Sequence, residues 1–353
     1  MNTSTARANL PPADLASPAD VVIRATAARY CAFARGLLPE AAVDFSRRAW
    51  PRDAATELVL STRGAVTPTT TAASAIAATS VGGFLASLRT SASGKLINAG
   101  TRIPISNVSS ITLPGIATYP TVPFVEEGAP APVGQAIFNA ATLGPLFRMS
   151  IILSASEELN QVAVVAIESL FADLLRESAD RALDAALFAD TAASSARPAG
   201  LLDGLVTLVP TSGGGVAALA GDVQKLVDEL VAAGAGDAPM LFMSPGRVAK
   251  AKVLVPGVDI PIVASPTIAG TRIIAVDAGA FVFGFSNEVD IRVGREAVLH
   301  MESENPQAIG VSGSTTLPIR SMWQTNSIAM MLNLRCSWAL RAPAVSFIDS
   351  PTW

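Results

Sequence analysis

Phe124-Val125-Glu126-Glu127-Gly128-Ala129-Pro130-Ala131-Pro132 is the turn-rich centre of the pattern that decides how this chain is built. On either side run segments rich in Ile, Val, Thr and Phe, Thr101 to Phe124 and Val133 to Ser154, which read as the two arms of a long hairpin. A lone two-stranded hairpin is marginal in water, so arms of this length are expected to lie on a neighbouring subunit. Directly after comes a helical pattern, Glu157 to Asp190, which at roughly thirty residues would span about 45 Å. Leu159, Val162, Ala166, Leu170, Leu174, Ala182 and Leu187 mark its apolar side, and Glu168, Asp173, Glu177, Asp180 and Arg181 occupy much of the rest. Pro198 is expected to prevent its continuation. A compact single domain cannot bury two elements this long.

The carboxyl end repeats the message independently. From Ile328 to Leu340 every even position is apolar: Ile328, Met330, Leu332, Leu334, Cys336, Trp338 and Leu340. Asn333, Arg335, Ser337 and, just beyond, Arg341 stand at odd positions. Period two sustained this far predicts one strand near 50 Å, against a usual strand of about five or six residues. A strand and a helix of matching length can pack side by side.

Elsewhere the elements are shorter. Pro18 to Arg35 has an apolar stripe of Val21, Val22, Ala25, Ala28, Tyr30 and Phe33, with Ser17 and Asp20 as candidate caps. A second short helix, Glu40 to Trp50, stops at Pro51. Gly64 to Leu88 is uncharged but rich in Thr and Ser and broken by Gly82-Gly83, so it reads as a connector and not as a membrane span. Gly213-Gly214-Gly215 reads as a hinge before a helix over Asp222 to Ala233. Then follow a buried strand at Met240 to Met243, a helix at Pro245 to Val253, and short strands at Ile262-Val263, Arg272 to Val276, Phe281 to Phe285 and Val289 to Val293.

In order and spacing these residues resemble the Hong Kong 97-like major capsid proteins of tailed phages. The tip quoted above, with Phe138, Thr142-Leu143 and Ser154-Ala155-Ser156-Glu157-Glu158-Leu159, looks like that family's E-loop entering its spine helix. Asp184-Ala185-Ala186-Leu187-Phe188 and Arg197-Pro198-Ala199-Gly200-Leu201-Leu202 resemble its helix exit and the turn after it. The likeness covers roughly Phe84 to Ile348, and more loosely Ala25 to Trp50. It implies an α+β fold of five parts. These are an N-terminal helical arm and connector (1–99), an E-loop hairpin (100–154), a peripheral domain with the spine helix (155–212), a mixed α/β axial domain (213–318) and a long C-terminal strand of the peripheral domain (319–353).

Composition bounds the chemistry. Of 353 residues, 50% are hydrophobic and 15% charged, apolar for a monomer and suited to a subunit that buries its outer surface on copies of itself. The net charge of −4 is unevenly spread. Residues 1–155 carry 12 Lys/Arg against 8 Asp/Glu, and residues 156–353 carry 13 against 21. A positive amino-terminal part would suit a shell lining that meets DNA phosphates. Chance would give the same excess. Cys31 and Cys336 stand in unrelated contexts, which argues for a reducing compartment. Met1 to Ala13 lacks the apolar core of a signal peptide.

No catalytic, cofactor-binding or metal-ligating residue is expected. His300 is the only histidine, and no Gly-Xaa-Ser-Xaa-Gly elbow accompanies it. One His and two separated Cys do not make a zinc site. Ser93-Gly94-Lys95 lacks the first glycine and the final Ser/Thr of a phosphate loop. Glu126-Glu127 and Glu157-Glu158 read more simply as edge-protecting charges and as helix first-turn acids.

The resemblance implies a structural protein: a shell of pentamers and hexamers enclosing double-stranded DNA, held without sequence specificity. Scaffold, protease, portal or cement proteins are possible partners, with no membrane involved. The expected location is the virion capsid, assembled in the host bacterial cytoplasm. Val125, Glu126, Glu127, Gly128, Ala129 and Pro130 are the expected intersubunit tip. The family's type member crosslinks itself through an E-loop lysine joined to another subunit's asparagine. Here no lysine lies between Leu96 and Gln224, so that route is chemically closed. An encapsulin-like compartment is the nearest alternative, and a hydrolase or binding module a more distant one.

Overall fold

The computed structural model describes residues 18–37, 41–61, 84, 91–105, 109–118, 124–125, 137–156, 164–257, 259–286, 290–299 and 320–353. They divide into two compact units, one drawn from 1–84, 150–175 and 288–333, the other from 85–149, 176–287 and 334–353.

The first unit contains α1 (Pro18–Ala34), α2 (Ala41–Ala49) and α3 (Ala54–Ser61). The expected stripe on α1 proves to be burial on nearly every side. Val21, Val22, Ile23, Ala25, Ala27, Ala28, Tyr30, Cys31, Ala32 and Ala34 are all buried. A helix that is apolar all round is an interior helix, and the small alanines let its neighbours approach closely. The buried hydroxyl of Thr26 donates back to Val22 O at 2.7 Å. Asp53 caps α3 by accepting from Thr56 N and Thr56 Oγ1, and pairs with Arg24 at 3.1 Å. The same unit holds β9 (Asp290–Gly294), which pairs antiparallel with residues 329–333 of β12 (Ser327–Leu340).

The second unit is built on a four-stranded sheet ordered β13 (Val345–Asp349), β7 (Arg272–Asp277), β5 (Pro239–Met243), β6 (Ile262–Ala264). Against it lie α6 (Gly215–Ala232) and α7 (Pro245–Leu254). Leu219, Leu226 and Leu230 of α6 meet Leu241, Met243, Ile273, Ala275, Ile348 and Trp353 in one core. Trp353 is 2% exposed, and its ring nitrogen donates to the buried Asp222 carboxylate at 3.0 Å. The glycine triplet is the start of α6: Gly213, Gly214 and Gly215 have φ of 104°, 72° and 65°, a left-handed run that side chains resist. The chain after β12 therefore returns to the mixed α/β layer instead of ending in a long strand.

β12 is the long strand predicted from the period-two pattern, 14 residues and about 46 Å. Its polar face is less solvated than alternation implies, because Ala329, Asn333 and Ser337 are buried as well. Asn333 accepts from Ser150 Oγ at 2.6 Å and donates to Asp290 at 3.2 Å. Trp338 donates to Ala199 O at 2.8 Å. The long helix, α5, is placed over Val164–Leu187. It stops well before Pro198. Leu201 N bonds to Leu187 O and Leu202 N to Ala189 O, folding the chain back over the helix end. Gly200 makes this possible, since a Cβ there would sit 2.0 Å from Ala189 O.

The lower ends of the expected hairpin arms, 101–105 and 147–154, pair elsewhere. Thr101–Ile105 forms β1, which pairs in parallel with β8 (Phe281–Ser286) inside the second unit. Among the described residues, the antiparallel hairpin pairing is that of β2 (Ile111–Thr118) with β3 (Ile137–Leu143). After Gly144-Pro145 the chain enters β4 (Phe147–Ser156), the strand that supplies Ser150 to Asn333.

Candidate assembly surface

The root of the hairpin is held firmly. Leu113 of β2 and Leu143 of β3 are buried against Ile105 and Val282, with Ile103, Ile111, Ala141, Leu146 and Ala339 around them. Gly284 of β8 supplies the room. A Cβ at that position would lie 2.9 Å from Ile105 Cδ1 and 3.0 Å from Leu143 Cδ2. Burying these aliphatic side chains stabilises the root by about 1.5–3 kcal/mol each.

Away from the root the support ends. Among the described residues β2 and β3 pair only with each other. Thr112, Pro114, Ala140 and Thr142 are exposed. Phe124 has a relative exposure of 107% and Val125 of 42%. A fully exposed aromatic beside a half-exposed valine is a large apolar area for one loop to leave in water. Of the predicted tip residues, Val125 is thus placed at the surface. Glu126, Glu127, Gly128, Ala129 and Pro130 lie outside the described residues, as do Glu157, Glu158 and His300. Val206, Val209, Val253 and Trp323 are also strongly exposed, and nothing in their local sequence pattern singles them out.

The phosphate-loop-like Ser93-Gly94-Lys95 has a different use. It lies in α4 (Ala92–Ala99), whose N-cap Ser91 accepts from Gly94 N. The anion position in front of that helix is filled from within. The buried Asp184 carboxylate accepts from Ser93 N at 2.7 Å, Ala92 N at 3.3 Å and Ser265 Oγ at 2.6 Å. The helix dipole and two otherwise orphaned N–H groups are thereby satisfied. The sequence signal was present: an Asp on the apolar side of α5, between Leu183 and Leu187.

Among the described residues no group of three or more His, Cys, Asp or Glu could hold a metal ion. Cys31 and Cys336 are free and buried, and burial pushes their thiols up to about 11 and about 12. Neither is a nucleophile at neutral pH. Among the described residues no helix is long and apolar enough to cross a membrane.

No protein-family model and no curated protein matches the sequence. Solved structures do match in fold. One from Mycobacterium phage Bobi aligns over 72% of this chain and 89% of its own, at 16% identity and a TM-score of 0.52. One from Mycobacterium phage Cain aligns over the same shares at 19% identity and 0.50. One from Microbacterium phage Oxtober96 covers 74% and 91%, at 14% identity and 0.50. The capsid of a native GTA particle covers 74% and 91% at 13% identity and 0.48. In fold, this chain is similar to these solved phage proteins.

Proposed function

We propose that the chain is the major capsid subunit of a tailed phage or prophage, assembling into an icosahedral shell around double-stranded DNA. The observation that carries this reading is the hairpin of β2 and β3. Its root is locked by Leu113, Leu143 and Gly284, while Phe124 and Val125 are left without cover. A loop anchored at one end and apolar at the other is suited to drape on a neighbour. The tip, Val125 to Pro130, is the proposed contact, with the E-loop at 100–154, the peripheral domain with its spine helix at 155–212, axial domain at 213–318 and long strand from 319 as the working parts. Many modest apolar contacts per subunit, multiplied by copy number, would hold the shell. Without a hairpin lysine the shell is held noncovalently, by overlap or by a cement protein. Scaffold, protease and portal proteins are further proposed partners, and assembly in the host cytoplasm the proposed setting.

The test is expression of the full chain followed by electron microscopy and nuclease treatment. Icosahedral particles protecting DNA would support the reading. Particles that enclose a protein cargo and no DNA would replace it with the compartment reading, and a monomer at all concentrations would end both.

A further inference from the structure

We propose that the corner between α1 and α2 is a pocket for the phosphodiester backbone of duplex DNA, with Arg35 and Arg48 as its ligands. This rests on the DNA-enclosing capsid reading and adds the residues that meet the genome.

An open pocket of about 460 Å³ lies there, lined among others by Arg35, Leu37, Asp44, Phe45 and Arg48. The Arg35 guanidinium stacks over the Phe45 ring at 4.9 Å from its centroid, and that ring is buried. Stacking fixes the plane of the guanidinium while its edge remains free to donate. Arg48 is exposed and has no carboxylate partner among the described residues. The pocket's carboxylate, Asp44, is engaged by Arg47 at 3.5 Å, and Arg47 also pairs with Glu57. Arg52, just beyond α2, is exposed and likewise lacks a carboxylate partner among the described residues. Arg35, Arg47, Arg48 and Arg52 face two carboxylates, Asp44 and Glu57, which leaves a local excess of two positive charges.

One guanidinium stacked on an aromatic ring and a second lining the same pocket suit a tetrahedral anion, because each fork can donate in parallel to its oxygens. The pocket is larger than a bare phosphate needs, so a phosphate with its attached sugar fits better. The same sign of charge prevails over residues 1–155, with 12 Lys/Arg against 8 Asp/Glu. Duplex DNA offers one charge per about 1.7 Å of axis, so repeated subunits can each hold a phosphate without reading sequence.

The test is fluorescence anisotropy of a labelled 20-base-pair duplex with the soluble full-length subunit across a potassium chloride series. The double variant Arg35→Gln, Arg48→Gln is expected to bind roughly 10- to 100-fold more weakly at low salt. Its plot of log affinity against log salt should be shallower by about 0.9, the value for one lost phosphate contact, whatever the duplex sequence. Arg181→Gln, on α5 and paired with Glu177, should change neither quantity. Arg35→Lys with Arg48→Lys should recover the slope, which separates a lost charge from a lost fold. An unchanged slope in the glutamine variant overturns the proposal. So does a subunit whose tyrosine fluorescence responds to inorganic phosphate while the duplex does not bind. If the slope changes as expected but no particles ever form, the pocket stands and the shell reading falls.

Discussion

Replacing Asp184 with Ala probes a buried polar junction of the second unit. Asp184 is 3% exposed, and its two oxygens accept from Ser93 N, Ala92 N and Ser265 Oγ. Truncation removes the acceptor and leaves two buried N–H groups and a hydroxyl to find others. A buried donor left unmade costs about 1–3 kcal/mol. Ser91 still caps through Gly94 N, and Ser265 can turn toward Thr267 Oγ1 at 2.8 Å, so the three losses do not simply add. The expected destabilisation is about 3–5 kcal/mol, at the upper end for one substitution. Asp184→Asn should fall between, because its amide keeps one acceptor oxygen but turns a donor toward the helix end. Urea denaturation of the soluble subunit by circular dichroism gives both values, with the slope against urea checked for constancy. A loss under about 1 kcal/mol for the alanine variant would refute the claim that this carboxylate holds α4 onto α5.

Deleting residues 120–134 should leave the subunit folded and assembly-deficient, because Leu113 and Leu143 remain to seal the root; sedimentation velocity and circular dichroism together decide this, and unfolding would contradict it. Alkaline pH should weaken the fold through the thiols. Burial raises Cys336 from 9.0 to about 12, so its contribution is fully present below about pH 9 and is lost as pH rises toward 12. Cys336→Ala should therefore flatten the fall in stability between those values, measured by urea titrations at stepped pH. Assembled particles boiled in detergent and reductant should run as one band near the 36.2 kDa chain mass. A covalent ladder would reveal a crosslinking nucleophile other than a hairpin lysine.

Much of the fold was legible because its patterns are local. Period two gave β12, and helical spacing gave α1, α2, α5 and α6 within a few residues at most ends. The exceptions turn on partners far along the chain. Thr101 to Ile105 looks like hairpin arm by composition, yet pairs with β8 about 180 residues later. Extended residues carry no mark of which strand they will meet. Likewise Asn333 and Ser337 read as a solvent face, and only tertiary packing buries them. The helix end at Leu187 depends on Gly200 allowing backbone contact with Ala189, a close approach that no propensity encodes. For the assembly surface, the turn residues and charges make 125–130 the proposed tip of the hairpin. The seat beneath it was invisible, because Gly284 is a small residue in an otherwise ordinary strand.

The central claim is that this chain builds a DNA-containing shell. Cryo-electron microscopy of nuclease-treated particles from cells expressing the full chain tests it most directly. The account predicts closed icosahedral particles with layered internal density of duplex spacing, and with residues 124–130 of each subunit resting on a neighbour. Particles in which that tip contacts only its own subunit, or a chain that remains monomeric at every concentration, would contradict it.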